Sequence, residues 1–118
     1  MDDGRPIFLQ IAELIENQII DGSLGEGNQV PSINEFAAFH RINPATALKG
    51  ISLLVDSGVL FKRRGIGMFV AEGARERLLA ERRARFAAEF VTPLLLEARG
   101  LQLTTDQIID IIRKESDS

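Results

Sequence analysis

The sequence predicts a mainly α-helical protein with one small β-hairpin. Three segments with apolar residues at helical spacing come first, and two short β-type runs around a basic, glycine-containing turn follow them. Two further helical segments complete the chain. The order of three helices and a hairpin predicts a winged helix-turn-helix domain over residues 1–72, and residues 73–118 are predicted to form a two-helix dimerisation tail.

The first helix is predicted from Pro6 to Asp21. Proline suits a first helical position, because its fixed φ is helical and its missing N–H has no helical partner there. Gly22 is expected to end the helix. The buried stripe is predicted to be Ile7, Ile11, Leu14, Ile15 and Ile19.

The second helix is predicted to start after Ser32. Glu35 stands three residues later, as in a capping box, where each side chain accepts a hydrogen bond from the other residue's backbone. The helix is expected to run through Phe39 and to bury Phe36 and Ala37.

The third helix is predicted to start at Asn43, a favoured N-cap, with Pro44 as its first residue. Gly58 is expected to close it. The residues expected on its buried face are Ala47, Leu48, Ile51, Leu54 and Val55.

Residues 59–61 and 68–70 read as two β-strands, and residues 63–67 read as the hairpin tip between them. Gly65 and Gly67 permit the positive φ angles of a tight turn. Arg63 and Arg64 make the tip basic.

The tail begins with a long helical pattern from Ala74 to Arg99. Pro93 is expected to kink this helix, because it removes a backbone donor, and Gly100 is expected to end it. Thr104, with Gln107 three residues later, predicts the capped start of a last helix.

A helix in the third position of such a domain can enter the DNA major groove, with the hairpin reaching the neighbouring backbone or minor groove. Its face opposite the core is predicted to carry Ala45, Thr46, Lys49 and Ser52. From His40 to Arg64 the chain has five basic residues and one acidic residue, although its net charge is −3. The sequence therefore predicts local contact with DNA phosphates within an acidic protein.

Other classes of function find little support in the sequence. The chain has no cysteine and a single histidine, His40, so we expect no metal and no cofactor. His40 is instead expected to be half-buried and hydrogen-bonded. Without a nucleophile elbow or a phosphate-cradling loop, we expect no enzyme. No secretory signal is recognisable and no apolar run is long enough to cross a bilayer, so we expect a cytoplasmic protein without membrane contact.

The sequence resembles the GntR family of regulators over about residues 5–71. The resemblance is carried by residues 6–8, 10–12, 22–24, Gly27, 30–32, 35–37, 43–44, Thr46 and 64–70, which read PIF, QIA, GSL, G, VPS, EFA, NP, T and RGIGMFV. The short tail resembles the YtrA subfamily, which lacks a large effector domain. This resemblance implies a dimeric transcriptional repressor.

Three residues depart from the pattern of the family. Asn34 stands where members usually carry arginine, Arg41 replaces the turn glycine, and His40 replaces an apolar residue. Arg41 is therefore expected in the left-handed region, at a cost of roughly 1 kcal/mol. The residues expected to contact DNA are Ser32, Asn34, Arg41, Asn43, Ala45, Thr46, Lys49, Arg63, Arg64, Gly65 and Gly67.

The predicted function is that of a sequence-specific repressor, which binds an inverted-repeat operator as a homodimer. The alternative is a winged-helix protein–protein adaptor that does not bind DNA. Any small-molecule effector is expected to bind between tail and wing or at the dimer interface, since the tail is too short to enclose a pocket. The dimer interface is expected to include Leu79, Phe86, Phe90, Leu94, Ile108 and Ile112.

Overall fold

Helices account for most of the chain in the computed structural model, which describes residues 4–118. The chain divides into two compact units, one ending at Leu79 and one spanning Ala80–Ser118. The elements in chain order are α1 (Ile7–Asp21), α2 (Ile33–His40), α3 (Pro44–Asp56), β1 (Leu60–Arg63), β2 (Gly67–Val70), α4 (Ala74–Phe86), a π-helical segment (Ala87–Val91), α5 (Thr92–Gly100) and α6 (Thr105–Ser116). The predicted mainly helical fold with a small hairpin is confirmed.

The first helix, α1, begins one residue later than predicted, because Pro6 is its N-cap and has an extended ψ of 137°. Ile11, Ile15 and Ile19 are buried as predicted. Ile7 is 43% exposed, because it lies in the first turn, beyond the reach of the core. Gly22 ends the helix in the left-handed conformation.

The turn between α2 and α3 has the predicted capping chemistry. Ser32 and Glu35 form the reciprocal capping box at the start of α2. At its end, Arg41 adopts φ 55° and ψ 49°, as the missing turn glycine predicts. Asn43 then caps α3 by accepting a hydrogen bond from the Ala45 N–H at 2.7 Å, and Pro44 is the first residue of α3.

The buried face of α3 differs from the prediction at three positions, one of which is Val55, half-buried against the core. Ala47, Ile51 and Leu54 are buried as expected, but Leu48 is 48% exposed. Gly50 is buried in its place, because α1 crosses α3 there so closely that a Cβ on Gly50 would lie 2.7 Å from the Phe8 carbonyl oxygen. The close crossing rotates the buried face of α3 toward Gly50 and leaves Leu48 outside.

The hairpin is an antiparallel pair in which Leu60 faces Val70 and Arg63 faces Gly67. Both strands differ from the prediction. The strand β1 begins after Val59 and continues through Arg63, and β2 begins one residue early, at Gly67. Arg63 therefore lies in a strand, and the turn consists of residues 64–66. The loop before α2 extends the sheet, since the Val30 N–H donates to the Met68 carbonyl at 2.8 Å. The wing is therefore supported by a segment far from it in sequence.

The start of α4 belongs to the first unit. Ala74 and Leu78 are part of its hydrophobic core. Two side chains of α4 cap carbonyl groups elsewhere in this unit: Arg75 Nε donates to the Ile20 carbonyl at 2.9 Å, and Arg77 donates to the Ser57 carbonyl.

The second unit accommodates Pro93 without ending the helical path. The π-helical segment comes immediately before α5, and Pro93 is the second residue of α5. A continuous α-helix would need the N–H donor that Pro93 lacks, and the wider π turn before it takes up this break in the hydrogen-bond ladder. Gly100 is the last residue of α5, but the left-handed residue of the following turn is Gln102, with φ 58°. Thr104 and Gln107 form the predicted capping box of α6. Within residues 4–118 no helix is both long and apolar enough to cross a membrane.

Candidate nucleic-acid interface

The outward face of α3 is the first part of the candidate interface. Ala45 and Lys49 are exposed, whereas Thr46 and Ser52 are half-buried. Leu48, which the sequence assigned to the core, shares this face with Ala45, because residues three apart lie side by side on a helix. The exposed surface of α3 is therefore more apolar than the sequence predicted.

Lys49 has an aromatic neighbour on α1. Its Nζ lies 4.0 Å from the centroid of the Phe8 ring, within the range of a cation–π contact. At an exposed site such a contact contributes about 0.5–1 kcal/mol, so it orients the ammonium without neutralising it. The positive charge of Lys49 therefore stays available to an anion that approaches the exposed face of α3.

The start of α2 offers a small set of backbone donors. Ser32 Oγ accepts from the Glu35 N–H at 3.1 Å, and Glu35 Oε1 accepts from the Ser32 N–H at 3.2 Å. The N–H groups of Ile33 and Asn34 donate to no other described residue. Two amides and the exposed Asn34 side chain are thus the groups at this helix end that can meet a phosphate. Arg41 and Asn43 are exposed at the other end of α2, although the Asn43 side chain already caps α3.

The wing carries the clearest basic surface. Arg64 and Gly65 lie in the exposed turn, where Gly65 has φ 77°. Arg63 lies at the end of β1, with its guanidinium 5.7 Å from the Phe61 ring centroid and 5.5 Å from that of Phe69. The rings of Phe61 and Phe69 stack with their centroids 5.7 Å apart, and neither residue was among the predicted site residues, although Phe61 directly precedes two basic residues in β1.

One residue that positions the wing was also missed. Gln29 Nε2 donates a hydrogen bond of 3.1 Å to the Ile66 carbonyl at the wing turn. A Cβ on Gly67 would lie 2.6 Å from the same Nε2, so the Gln29 amide would have to shift if residue 67 carried a side chain. No local pattern reveals this contact, because its partners are 37 residues apart.

His40 is half-buried as expected, but it contacts aromatic rings and makes no hydrogen bond to a described residue. Its ring centroid lies 4.3 Å from that of Phe36 and 4.9 Å from that of Phe39. The same side chains line a hollow of about 370 Å³ between α1 and α2. Across residues 4–118 no cluster of three His, Cys, Asp or Glu residues is suited to a metal ion.

The second unit exposes most of the residues predicted for a dimer interface. Phe86 and Phe90, whose ring centroids are 5.7 Å apart, are 57% and 62% exposed. Leu94 and Ile112 are also exposed, and Leu79 of the first unit is half-buried. Ile108 is buried within the single chain, where it joins Ala98 in packing α6 against α5.

The family model described as "Bacterial regulatory proteins, gntR family" matches residues 8–70. Over 110 residues the chain is 29% identical to the HTH-type transcriptional regulator YhcF of Bacillus subtilis, an alignment covering 93% of this chain and 89% of YhcF. It is 25% identical to the HTH-type transcriptional repressor YtrA of the same organism, over 96% of this chain and 86% of YtrA.

Solved structures show the same architecture. A GntR family transcriptional regulator from Listeria monocytogenes superimposes with a TM-score of 0.79 at 25% identity, covering 97% of this chain and 98% of the other. The AraR(DBD) chain, solved in complex with operator ORX1, matches 60% of this chain with a TM-score of 0.56 at 30% identity, and 86% of that chain is covered.

Proposed function

Because this chain belongs to the gntR family of bacterial regulatory proteins and is a transcriptional regulator with a DNA-binding domain, we propose that it represses transcription as a homodimer on an inverted-repeat operator. The observation that carries the proposal is the combination, in one compact unit, of an exposed α3 face and a basic wing. The operator complex of AraR(DBD) supports DNA as the partner, and the name of YtrA supports repression. Such a regulator would act in the cytoplasm, where bacterial DNA lies.

The charge distribution supports a localised contact with DNA. The wing contributes Lys62, Arg63 and Arg64, all exposed, whereas the whole chain has a net charge of −3. A protein binds duplex DNA by replacing condensed counterions where its cations meet phosphates, so charge elsewhere matters less. We assign phosphate contacts to the wing arginines and the start of α2, and base contacts to Ala45, Thr46 and Lys49.

The second unit is proposed to form the dimer. Burying a large apolar side chain contributes roughly 1.5–3 kcal/mol, so the exposed rings of Phe86 and Phe90 favour contact with a second copy of the tail. A two-fold pair would place two α3 helices in successive major grooves, about 34–36 Å apart. The two-fold symmetry of such a pair requires an inverted repeat in the operator, and the spacing sets the distance between its half-sites.

The DNA-binding proposal is tested by the salt dependence of operator affinity. Replacing both Arg63 and Arg64 with alanine should weaken binding to every duplex and make the log–log salt slope shallower by roughly one unit for each lost phosphate contact. The matched control is the alanine double variant of Arg113 and Lys114, an exposed basic pair at the end of α6. If the salt slope of DNA affinity is the same in the parent and the wing variant, the wing arginines do not contact DNA phosphates. A parent chain that binds no duplex would favour the adaptor function instead.

The dimer proposal is tested by sedimentation of full-length variants. Phe86→Glu and Phe90→Glu should each dissociate the dimer and remove most of the operator affinity, because each places a charge in an apolar interface. Phe39→Glu is the matched control, since Phe39 is 82% exposed but lies in the first unit. Dimers that persist in both tail variants would place the interface elsewhere.

A further inference from the structure

The exposed leucine on the outward face of α3 lies outside the hydrophobic core. Leu48 is 48% exposed, while Ala47, Gly50 and Ile51 beside it supply the buried surface of the helix. Ala45, three residues earlier, is exposed on the same side. Leu48 and Ala45 therefore form an apolar patch in the first half of the helix that is proposed to enter the major groove.

An apolar patch in the major groove discriminates among bases by what it can contact favourably. Thymine presents a C5 methyl group there beside its O4 acceptor, whereas guanine, adenine and cytosine present hydrogen-bond donors or acceptors and no methyl group. A leucine placed against those polar groups would remove their water and offer no hydrogen bond in exchange. Against a thymine methyl group, the leucine displaces no water from a hydrogen-bonding group, and apolar surface of both the leucine and the base is buried.

We propose that Leu48, supported by Ala45, reads the C5 methyl group of a thymine in each operator half-site. This inference rests on the proposed operator binding and adds a base preference to it. Lys49 does not compete for the same position, since its ammonium lies over the Phe8 ring on the α1 side of the helix. Leu48 is thus a specificity residue that acts through apolar contact.

The experiment removes the methyl group from DNA and the side chain from the protein. A duplex bound by the full-length chain is first selected from a random pool, and each of its thymines is then replaced singly by deoxyuridine, which lacks only the C5 methyl. Burial of one methyl group corresponds to an affinity change of about fourfold. We expect such a loss at one thymine or more in each half-site for the parent chain, and no loss at the same positions for Leu48→Ala.

The matched control is Leu53→Ala. Leu53 is 38% exposed on α3 but lies beside Leu9 and Ala12 of α1, so this variant should keep the parent's sensitivity to uracil. Leu48→Met, which keeps an apolar side chain of similar size, should keep most of that sensitivity. Because Leu48 is outside the core, thermal melts of its variants should match the parent.

Two results would overturn the assignment while leaving operator binding intact. The parent chain could bind its selected duplex equally well with uracil at every position, or Leu48→Ala could retain the uracil effect. If the parent selects no duplex at all, the operator proposal fails and the assignment of Leu48 fails with it.

Discussion

Replacing Gly50 with alanine tests the close crossing of α1 and α3. Gly50 lies in the middle of α3, and a Cβ added there would lie 2.7 Å from the Phe8 carbonyl oxygen and 2.9 Å from Ile11 Cγ2. Ordinary van der Waals contact begins at 3.4 Å, so the two helices must separate to admit one methyl group. The carbonyl oxygen is part of the main chain of α1 and cannot rotate away.

Two opposing terms set the expected change in stability. Alanine is better than glycine inside a helix by about 1 kcal/mol, which favours the variant. Overpacking a well-packed core costs about 1–3 kcal/mol, and a clash with main-chain atoms belongs at the upper end of that range. We expect Gly50→Ala to lower the free energy of unfolding by about 2 kcal/mol, equivalent to a fall in Tm of roughly 8 °C.

Urea and thermal denaturation of the full chain measure this change directly. Gly100→Ala is the matched control, because Gly100 is also helical and an added Cβ there meets no atom within 4 Å. The control should be as stable as the parent or slightly more stable. If Gly50→Ala is as stable as the control, α1 and α3 cross at a wider separation than these distances give.

Three further predictions concern the turn, the caps and the wing. Arg41→Gly should raise the free energy of unfolding by about 1 kcal/mol, because glycine adopts the left-handed conformation without strain, and it should weaken DNA binding. Urea unfolding and fluorescence-anisotropy titrations measure the two effects, and stability and affinity that both rose or both fell would contradict this prediction. Ser32→Ala and Thr104→Ala should each lower the free energy of unfolding by about 1 kcal/mol, because each removes a capping box. Only Ser32→Ala should also weaken DNA binding. Equal effects of the two variants on DNA affinity would contradict a phosphate contact at the start of α2. Gln29→Ala removes the hydrogen bond to the Ile66 carbonyl, so it should lower DNA affinity with little change in the salt slope of binding. Unchanged affinity would show that this hydrogen bond has no role in DNA binding.

The sequence by itself determined the features that depend on near neighbours along the chain. Both capping boxes were predictable, because the cap and its partner are three residues apart. The left-handed Arg41 was predictable from its place in the turn between α2 and α3, where the resemblance to the GntR family implies a glycine. The basic hairpin was predictable from two short apolar runs that flank a segment with two arginines and two glycines.

Tertiary structure alone decided where the buried face of α3 ends and which long-range contacts formed around the wing. A helical pattern with many apolar residues permits several buried faces, so the exposure of Leu48 depends on α1 crossing α3 at Gly50. The hydrogen bond from Gln29 to the Ile66 carbonyl likewise exists only once the loop and the wing lie together. Such contacts join residues far apart in the chain, and no local preference of either partner encodes the distance between them.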